Sequence, residues 1–248
     1  RAVRKAAPSG VHPIQAPLLR SNRSAFPERK RYYHAKGMRS FARLLGAGLE
    51  LRTKVQVPPL SRTESGWQIE GEFFEWVLST APWPQTAALF GCASGGVPDY
   101  DPCLTMLLRY WGEWLGRSPR VYGMEHPAGG PLRWSACENH KTGHIQPGRT
   151  IFVAHATAAF SREHWDADPG QWSALLRDEV EARWQIPPAH FDGEFTHRWR
   201  YARVPRAAEA LELPPNAIYA GDALGGSRVE SAWLQGVSAA ERLVYRMR

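Results

Sequence analysis

The stretch from Ala217 to Leu243 constrains the fold more than any other part of this 248-residue chain. The apolar run Ala217–Ala220 reads as a buried strand that stops at Gly221-Asp222. Small residues follow at Gly225, Gly226 and Ser227, and a helix is expected to start near Arg228. Val229, Ala232, Trp233, Gly236, Val237 and Ala240 recur at the i, i+3, i+4 spacing of a packed helix face. A strand, an acid, a glycine loop and a helix, in that order, carry a helix N-terminus with its unbonded N–H groups up to an electron-rich ligand. The acid at the strand end can accept a hydrogen bond from a sugar-like hydroxyl.

In register and residue type this segment resembles the C-terminal flavin-binding motif of FAD-dependent amine oxidases, most closely the renalase-like branch. Further stretches carry the same resemblance: Tyr32 to Ala42 with its Gly37-Met38 helix entry, Leu49 to Val55, Trp76 to Pro82, and His197 to Ala202. Trp134 with Lys141, and Phe152 to Ala156 with Ser161, fall where that branch has comparable elements. Gln235 departs from the pattern, because relatives carry a small residue there. The resemblance covers nearly all of the chain from about Tyr32 onward.

The resemblance implies FAD as cofactor and assigns positions around it. Asp222, after Gly221, would hold a ribityl hydroxyl. Arg228, Val229 and Glu230 would face the N1–C2=O edge of the ring, where the half-positive end of a helix suits a reduced, anionic flavin. The backbone of Val55 would touch the adenine, and Ala81 and Pro82 would pass close to the cofactor. Relatives line the substrate cavity with aromatic residues, so His197, Trp199 and Tyr201 are the substrate-pocket candidates, with Arg200 beside them. Strand alternation puts those three on one face and Arg198 and Arg200 on the other, so only one set can face the ring. No catalytic residue is assigned.

Flavoproteins of this kind open with a G-x-G-x-x-G loop between a strand and a helix, which cradles the pyrophosphate. That fingerprint is absent from the sequence; Gly91 to Gly96 has the wrong spacing. With Arg1 as first residue, the expectation is a truncated or processed chain lacking an N-terminal dinucleotide-binding segment.

Composition narrows the rest. Hydrophobic residues make up 43% and charged residues 22%, a globular balance. Net charge is +7, yet residues 1–40 alone carry +9 and the remainder −2, so the basicity belongs to an N-terminal arm. A solvated arm explains it better than a nucleic-acid surface. No run of 18 apolar residues appears, so no membrane span is expected. Cys92, Cys103 and Cys137 are an odd number without paired spacing, which fits free thiols in a reducing, cytoplasmic setting. Cys137, His140 and His144 offer zinc-type ligands but no fourth, so no metal is assigned.

Residues 1–31 read as irregular. A helix is expected over Met38–Leu45, and strands over Leu49–Val57, Gly66–Glu70 and Phe73–Thr80. Five further strand-like runs (Thr105–Trp111, Arg120–Met124, Leu132–Cys137, Thr150–Ala156, Glu194–Val204) suggest an antiparallel sheet. One helix interrupts them; Asp168-Pro169 starts it, and Trp172, Leu175, Leu176, Val180 and Trp184 form its stripe. The expected fold is α/β: a partial FAD-binding Rossmann-type domain (32–90 and 205–248) interleaved with an antiparallel-sheet substrate domain (91–204), preceded by the basic segment 1–31. The expected function is a flavin-dependent oxidoreductase that oxidises an amine or a dihydronicotinamide-type small molecule, with oxygen as electron acceptor. The alternative is a non-catalytic remnant that binds through its basic arm.

Overall fold

A computed structural model describes residues 11–21, 25, 31–92, 100–141, 143–208 and 211–247. Most of the basic arm, and the glycine-rich residues 93–99, lie outside the described residues. In chain order the first elements are β1 (Val11–Pro13), β2 (Leu18–Leu19), β3 (Tyr32–His34) and α1 (Met38–Leu45). Short pieces follow: β4 (Ser61–Arg62), β5 (Trp67–Ile69), β6 (Glu72–Phe74), β7 (Val77–Ser79) and α2 (Trp83–Phe90). Then come β8 (Asp101–Trp111), β9 (Gly123–Glu125), β10 (Leu132–Cys137), β11 (Arg149–Ala156), α3 (Ala158–Glu163) and α4 (Pro169–Trp184). The chain closes with β12 (Phe191–Arg203), β13 (Ala217–Tyr219), α5 (Asp222–Gly225) and α6 (Val229–Arg246).

The contacts divide the chain into two units: one runs through Gly48 and resumes over Pro102–Arg200, and the other holds Leu49–Asp101 and the residues from Tyr201 onward. The first is built on a six-stranded sheet in the order β12-β8-β11-β10-β9-β2. Period-two alternation writes it: Leu104, Met106, Leu108 and Tyr110 of β8 are fully buried, while Leu107 and Trp111 point to the other face and stay exposed. β11 runs antiparallel to β8, setting Phe152 opposite Leu108 and Ala154 opposite Met106.

The α4 helix covers the buried face. Asp168 caps it by accepting from the Gly170 N–H at 2.8 Å, and Trp172, Leu176, Val180 and Trp184 are completely buried at successive i+4 steps. Leu175, expected in that stripe, is half exposed instead, because a ridge of i+4 steps leaves its neighbour on the flank. The start of the chain is less irregular than its composition suggests. β2 pairs parallel with β9, and Leu18 is buried against Tyr122 and Ala136.

The placement of residues 32–48 also departs from the sequence reading, which put them with the cofactor half. They belong to the sheet unit, since β3 pairs with β1 and His144 Nε2 lies 3.1 Å from the His34 carbonyl oxygen. At the other junctions, Gly91, Cys92, Tyr100, Asp101 and 201–204 cluster with the second unit.

In the second unit β7 and β13 form a parallel pair, with Ile218 opposite Leu78 and Tyr219 opposite Ser79. The α2 helix begins at Pro82 and buries Trp83, Thr86, Ala87 and Phe90, and β4, β5 and β6 make a small antiparallel sheet. The strand expected over Leu49–Val57 does not form: this stretch has no ladder partner, and Leu49, Leu51, Val55 and Val57 are exposed. Of the stripe expected to pack on α6, Val229, Ala232, Gly236, Val237 and Ala240 are turned outward and Trp233 is partly buried. The side that faces the protein is Ser231, Gln235, Ala239 and Leu243, with Ala239 buried over Ile218 and Ala220.

A buried histidine sets a pH limit on the sheet unit. Ser135 Oγ accepts from Trp184 Nε1 at 2.7 Å and lies 2.7 Å from His126 Nε2, so its proton is available to a neutral imidazole. Burial, with Arg183 adding to it, pushes His126 down to about 4. Between the ordinary value near 6.5 and about 4 the unfolded chain binds a proton that the folded one refuses. Stability therefore falls as pH drops through that window, by up to about 1.4 kcal/mol per unit. Urea denaturation at pH 7, 5.5 and 4.5 is expected to show the slope, and His126→Gln to flatten it.

Candidate functional site

The parallel pairing of β7 with β13 makes the site. Two parallel strands end on the same side, so the turn after β7 (Thr80, Ala81, Pro82) and the turn after β13 (Ala220, Gly221, Asp222) emerge together. The Ala220 N–H continues the ladder onto the Ser79 carbonyl at 3.0 Å. In open parallel sheets ligands bind outside these carboxyl ends. The turn after β7 is then fixed: Ser79 Oγ and Thr86 Oγ1 lie 2.7 Å apart, and Thr86 also donates to the Ala81 carbonyl at 3.1 Å.

Asp222 opens α5, a one-turn helix that precedes the turn at Gly226 and Ser227. Its carboxylate is half buried, and Tyr100 Oη donates to Oδ1 at 3.0 Å. The Trp83 backbone N–H in turn donates to Tyr100 Oη at 3.0 Å. Burial pushes the phenols of Tyr100 and Tyr219 well above the ordinary tyrosine value, so both stay protonated. The Trp83 and Tyr219 rings meet edge to face at 5.2 Å, and Tyr100 and Tyr201 do so at 5.3 Å. Two buried polar atoms beside this group, Trp83 Nε1 and Tyr219 Oη, have no well-aligned hydrogen bond.

After α5 the chain turns through Gly226, whose φ of +80° a side chain would strain. Ser227 does not cap the next helix; its hydroxyl accepts from the Val204 N–H at 2.7 Å. Arg228 stands at the N-cap of α6 and supplies no side-chain cap. The first N–H groups of α6, at Val229 and Glu230, are thus left for an outside acceptor. An acceptor carboxylate, an uncapped helix start and the unpartnered Trp83 Nε1 form a set that suits a ligand with hydroxyls and an electron-rich ring edge, and FAD fits that description.

Of the positions named from sequence, Ala81, Pro82, Gly221 and Asp222 come together at the strand ends, with Arg228, Val229 and Glu230 at the start of the helix that packs on β13. Val55 is not drawn into this group; it sits exposed in the unpaired stretch. Tyr201 reaches it through Tyr100. His197 and Trp199 lie in the sheet unit, with rings 4.3 Å apart on an open face that also exposes Phe195. Arg198 and Arg200 point the other way, toward the Ala167 carbonyl and the Trp165 ring. Phe191 and Glu194 both turn to the α4 side, so the alternation slips by one at Gly193, where φ is +141°.

Other singled-out residues serve structure. Lys141 is paired with Glu138 at 2.7 Å, and Ser161 Oγ accepts from the Leu104 N–H. Burial, helped by Arg133, pushes His155 down and keeps it neutral. Cys137, His140 and His144 each bond elsewhere, to Asn139, the Ser118 carbonyl and the His34 carbonyl. Tyr100, Trp83 and Tyr219 were missed by sequence reasoning. Tyr100 follows a glycine-rich run with no periodicity, so nothing local marks it.

Gly221 is needed for space, since a Cβ there would lie 2.3 Å from Tyr219 Oη and 2.6 Å from Cζ. Gly221→Ala is expected to cost about 1–3 kcal/mol of stability by overpacking, whereas Gly236→Ala, which meets nothing within 4 Å, should be neutral or stabilising. Thermal melts of the two variants check this.

No family model matches the chain. Among solved structures, it is similar to a candidate protoporphyrinogen oxidase from Exiguobacterium sp. 255-15, with a TM-score of 0.67 and 17% identity over 90% of this chain and 53% of that one. It is also similar to putrescine oxidase bound to putrescine, at 0.58 and 13% identity over 87% and 54%. A third similar structure is an oxidoreductase from Methanosarcina mazei, at 0.56 and 16% identity over 86% and 55%. The chain spans about half the length of these structures. At such identities the likeness is one of fold: α/β, with a partial Rossmann-type unit interleaved with a sheet unit, the fold of these oxidoreductase structures.

Proposed function

We propose that this chain is part of a flavin-dependent oxidoreductase, of the renalase-like kind within the amine oxidase superfamily. It would take electrons from an amine or a dihydronicotinamide-type compound and pass them to oxygen. The observation that carries this reading is the pairing of Asp222 with the uncapped start of α6 at the carboxyl ends of two parallel strands. The neighbours of like fold include oxidases, and one of them holds an amine.

When bound, the flavin supplies the redox chemistry, and the residues around it bind, orient and exclude water. Asp222 would accept from a hydroxyl of the ribityl chain. The N–H groups of Val229 and Glu230, at the positive end of α6, would stabilise negative charge at the ring edge. Ala81 and Pro82, held by Thr86, would form a rigid floor beside it. His197, Trp199 and Tyr201 would be the residues that line the substrate pocket. The pyrophosphate cradle would come from polypeptide outside this sequence, a reading supported by the half-length match. Among the described residues no helix is long and apolar enough to cross a membrane, and the three cysteines are free. We place the enzyme in the reducing cytoplasm on the basis of those free thiols.

The test is the visible spectrum of the purified protein after incubation with excess FAD and removal of unbound flavin. Retained flavin absorbance is expected, and Asp222→Ala should weaken binding about tenfold or more, the loss of a hydrogen bond to a charged acceptor. Hydrogen peroxide release from amines or from reduced nicotinamide then separates the two substrate classes. Wild-type protein that returns colourless overturns the reading.

A further inference from the structure

Asp222 does not choose its own orientation. The Trp83 backbone N–H donates to Tyr100 Oη, which directs the phenol proton toward Asp222 Oδ1. Burial keeps that phenol protonated. The carboxylate is therefore held by one oxygen, and among the described residues nothing donates to the other. Tyr100 is itself anchored at the first residue of α2, so its position follows the turn after β7, not the turn that carries Asp222. Beside it lies Trp83 Nε1, on a side chain at least nine-tenths buried and without a hydrogen-bond partner among the described residues. Buried polar groups are almost always satisfied, so this indole N–H points to a polar occupant.

We propose that Tyr100 is the positioning residue for Asp222: it fixes Oδ1 and thereby presents Oδ2 to a hydroxyl of the bound ligand's polyol chain. The role rests on the flavin reading above, and it makes a sharper claim. Tyr100 acts on the hydroxyl-bearing chain and not on the ring.

Two flavins separate these parts. Riboflavin carries the ribityl chain, while lumiflavin has the same ring with a methyl group in its place. Fluorescence titration of both against wild type, Tyr100→Phe, Asp222→Ala and the double variant tests the proposal. Tyr100→Phe is expected to weaken riboflavin about tenfold and to leave lumiflavin unchanged. In the Asp222→Ala background Tyr100→Phe should add nothing, since its effect passes through that carboxylate. Asp222→Asn gives an independent arm should Tyr100→Phe fold poorly. Its amide oxygen can still accept from Tyr100, which turns the NH₂ toward the ligand, so riboflavin should weaken and lumiflavin should not. Equal weakening of both flavins, or a full Tyr100→Phe effect without Asp222, overturns the positioning role and leaves the flavin reading standing. Wild-type protein that binds neither flavin overturns the flavin reading, and this proposal with it.

Discussion

The structure around the candidate site depends on one backbone interaction, the parallel ladder between β7 and β13. Those strands lie far apart in the sequence, and each alone is only three residues long. A parallel ladder cannot be closed by a tight turn; the connection must travel back along the strands. Here that connection contains the Pro102–Arg200 part of the sheet unit. The ladder fixes register, and register fixes chemistry. Tyr219 opposite Ser79 puts Gly221-Asp222 level with Ala81-Pro82, and Tyr100 can then tie the two turns together through the Trp83 N–H and Asp222.

The same geometry explains why small residues sit where they do. Tyr219 folds its hydroxyl over Gly221, a position where even a methyl group would collide. Gly225 is the second close approach, because a Cβ there would press on Gln235 Cγ at 3.0 Å and Ser231 Cβ at 3.2 Å. Gln235, the departure from the resembling family's pattern, thus lies on the side of α6 that packs. It is accommodated by a glycine across from it instead of by a small residue of its own.

Much of the sheet unit was legible because its signals are local and redundant. Alternation along β8 and β11, the Asp168-Pro169 start of α4 and its aromatic stripe each specify one face without reference to distant residues. The strand-acid-glycine-helix order at Ala217–Arg246 was legible in the same way. Hydrogen-bond partners were not. Whether Ser227 caps α6 or serves the Val204 N–H is decided by where β12 ends. That Tyr100 reaches Asp222 follows from the α2 helix, not from anything near residue 100. Residues 32–48 were assigned to the wrong unit for a related reason: β3 is placed by its pairing with β1, and sequence patterns do not name a pairing partner.

The two largest departures in the second unit share one physical cause. Leu49–Val57 carries apolar residues in a strand-like run, and α6 carries an apolar stripe, yet both present most of them to solvent. Parallel sheets are ordinarily covered on both faces, and a strand needs a ladder partner before its pattern has meaning. An apolar pattern records what a segment is suited to bury against; it does not show that the partner lies in the same stretch of sequence. The chain spans about half the length of the structures of like fold. The parts of this chain whose partners are present, such as β8 with β11 and β13 with β7, adopt the structure their patterns specify. The parts whose patterns go unanswered are the ones where reading and structure separate.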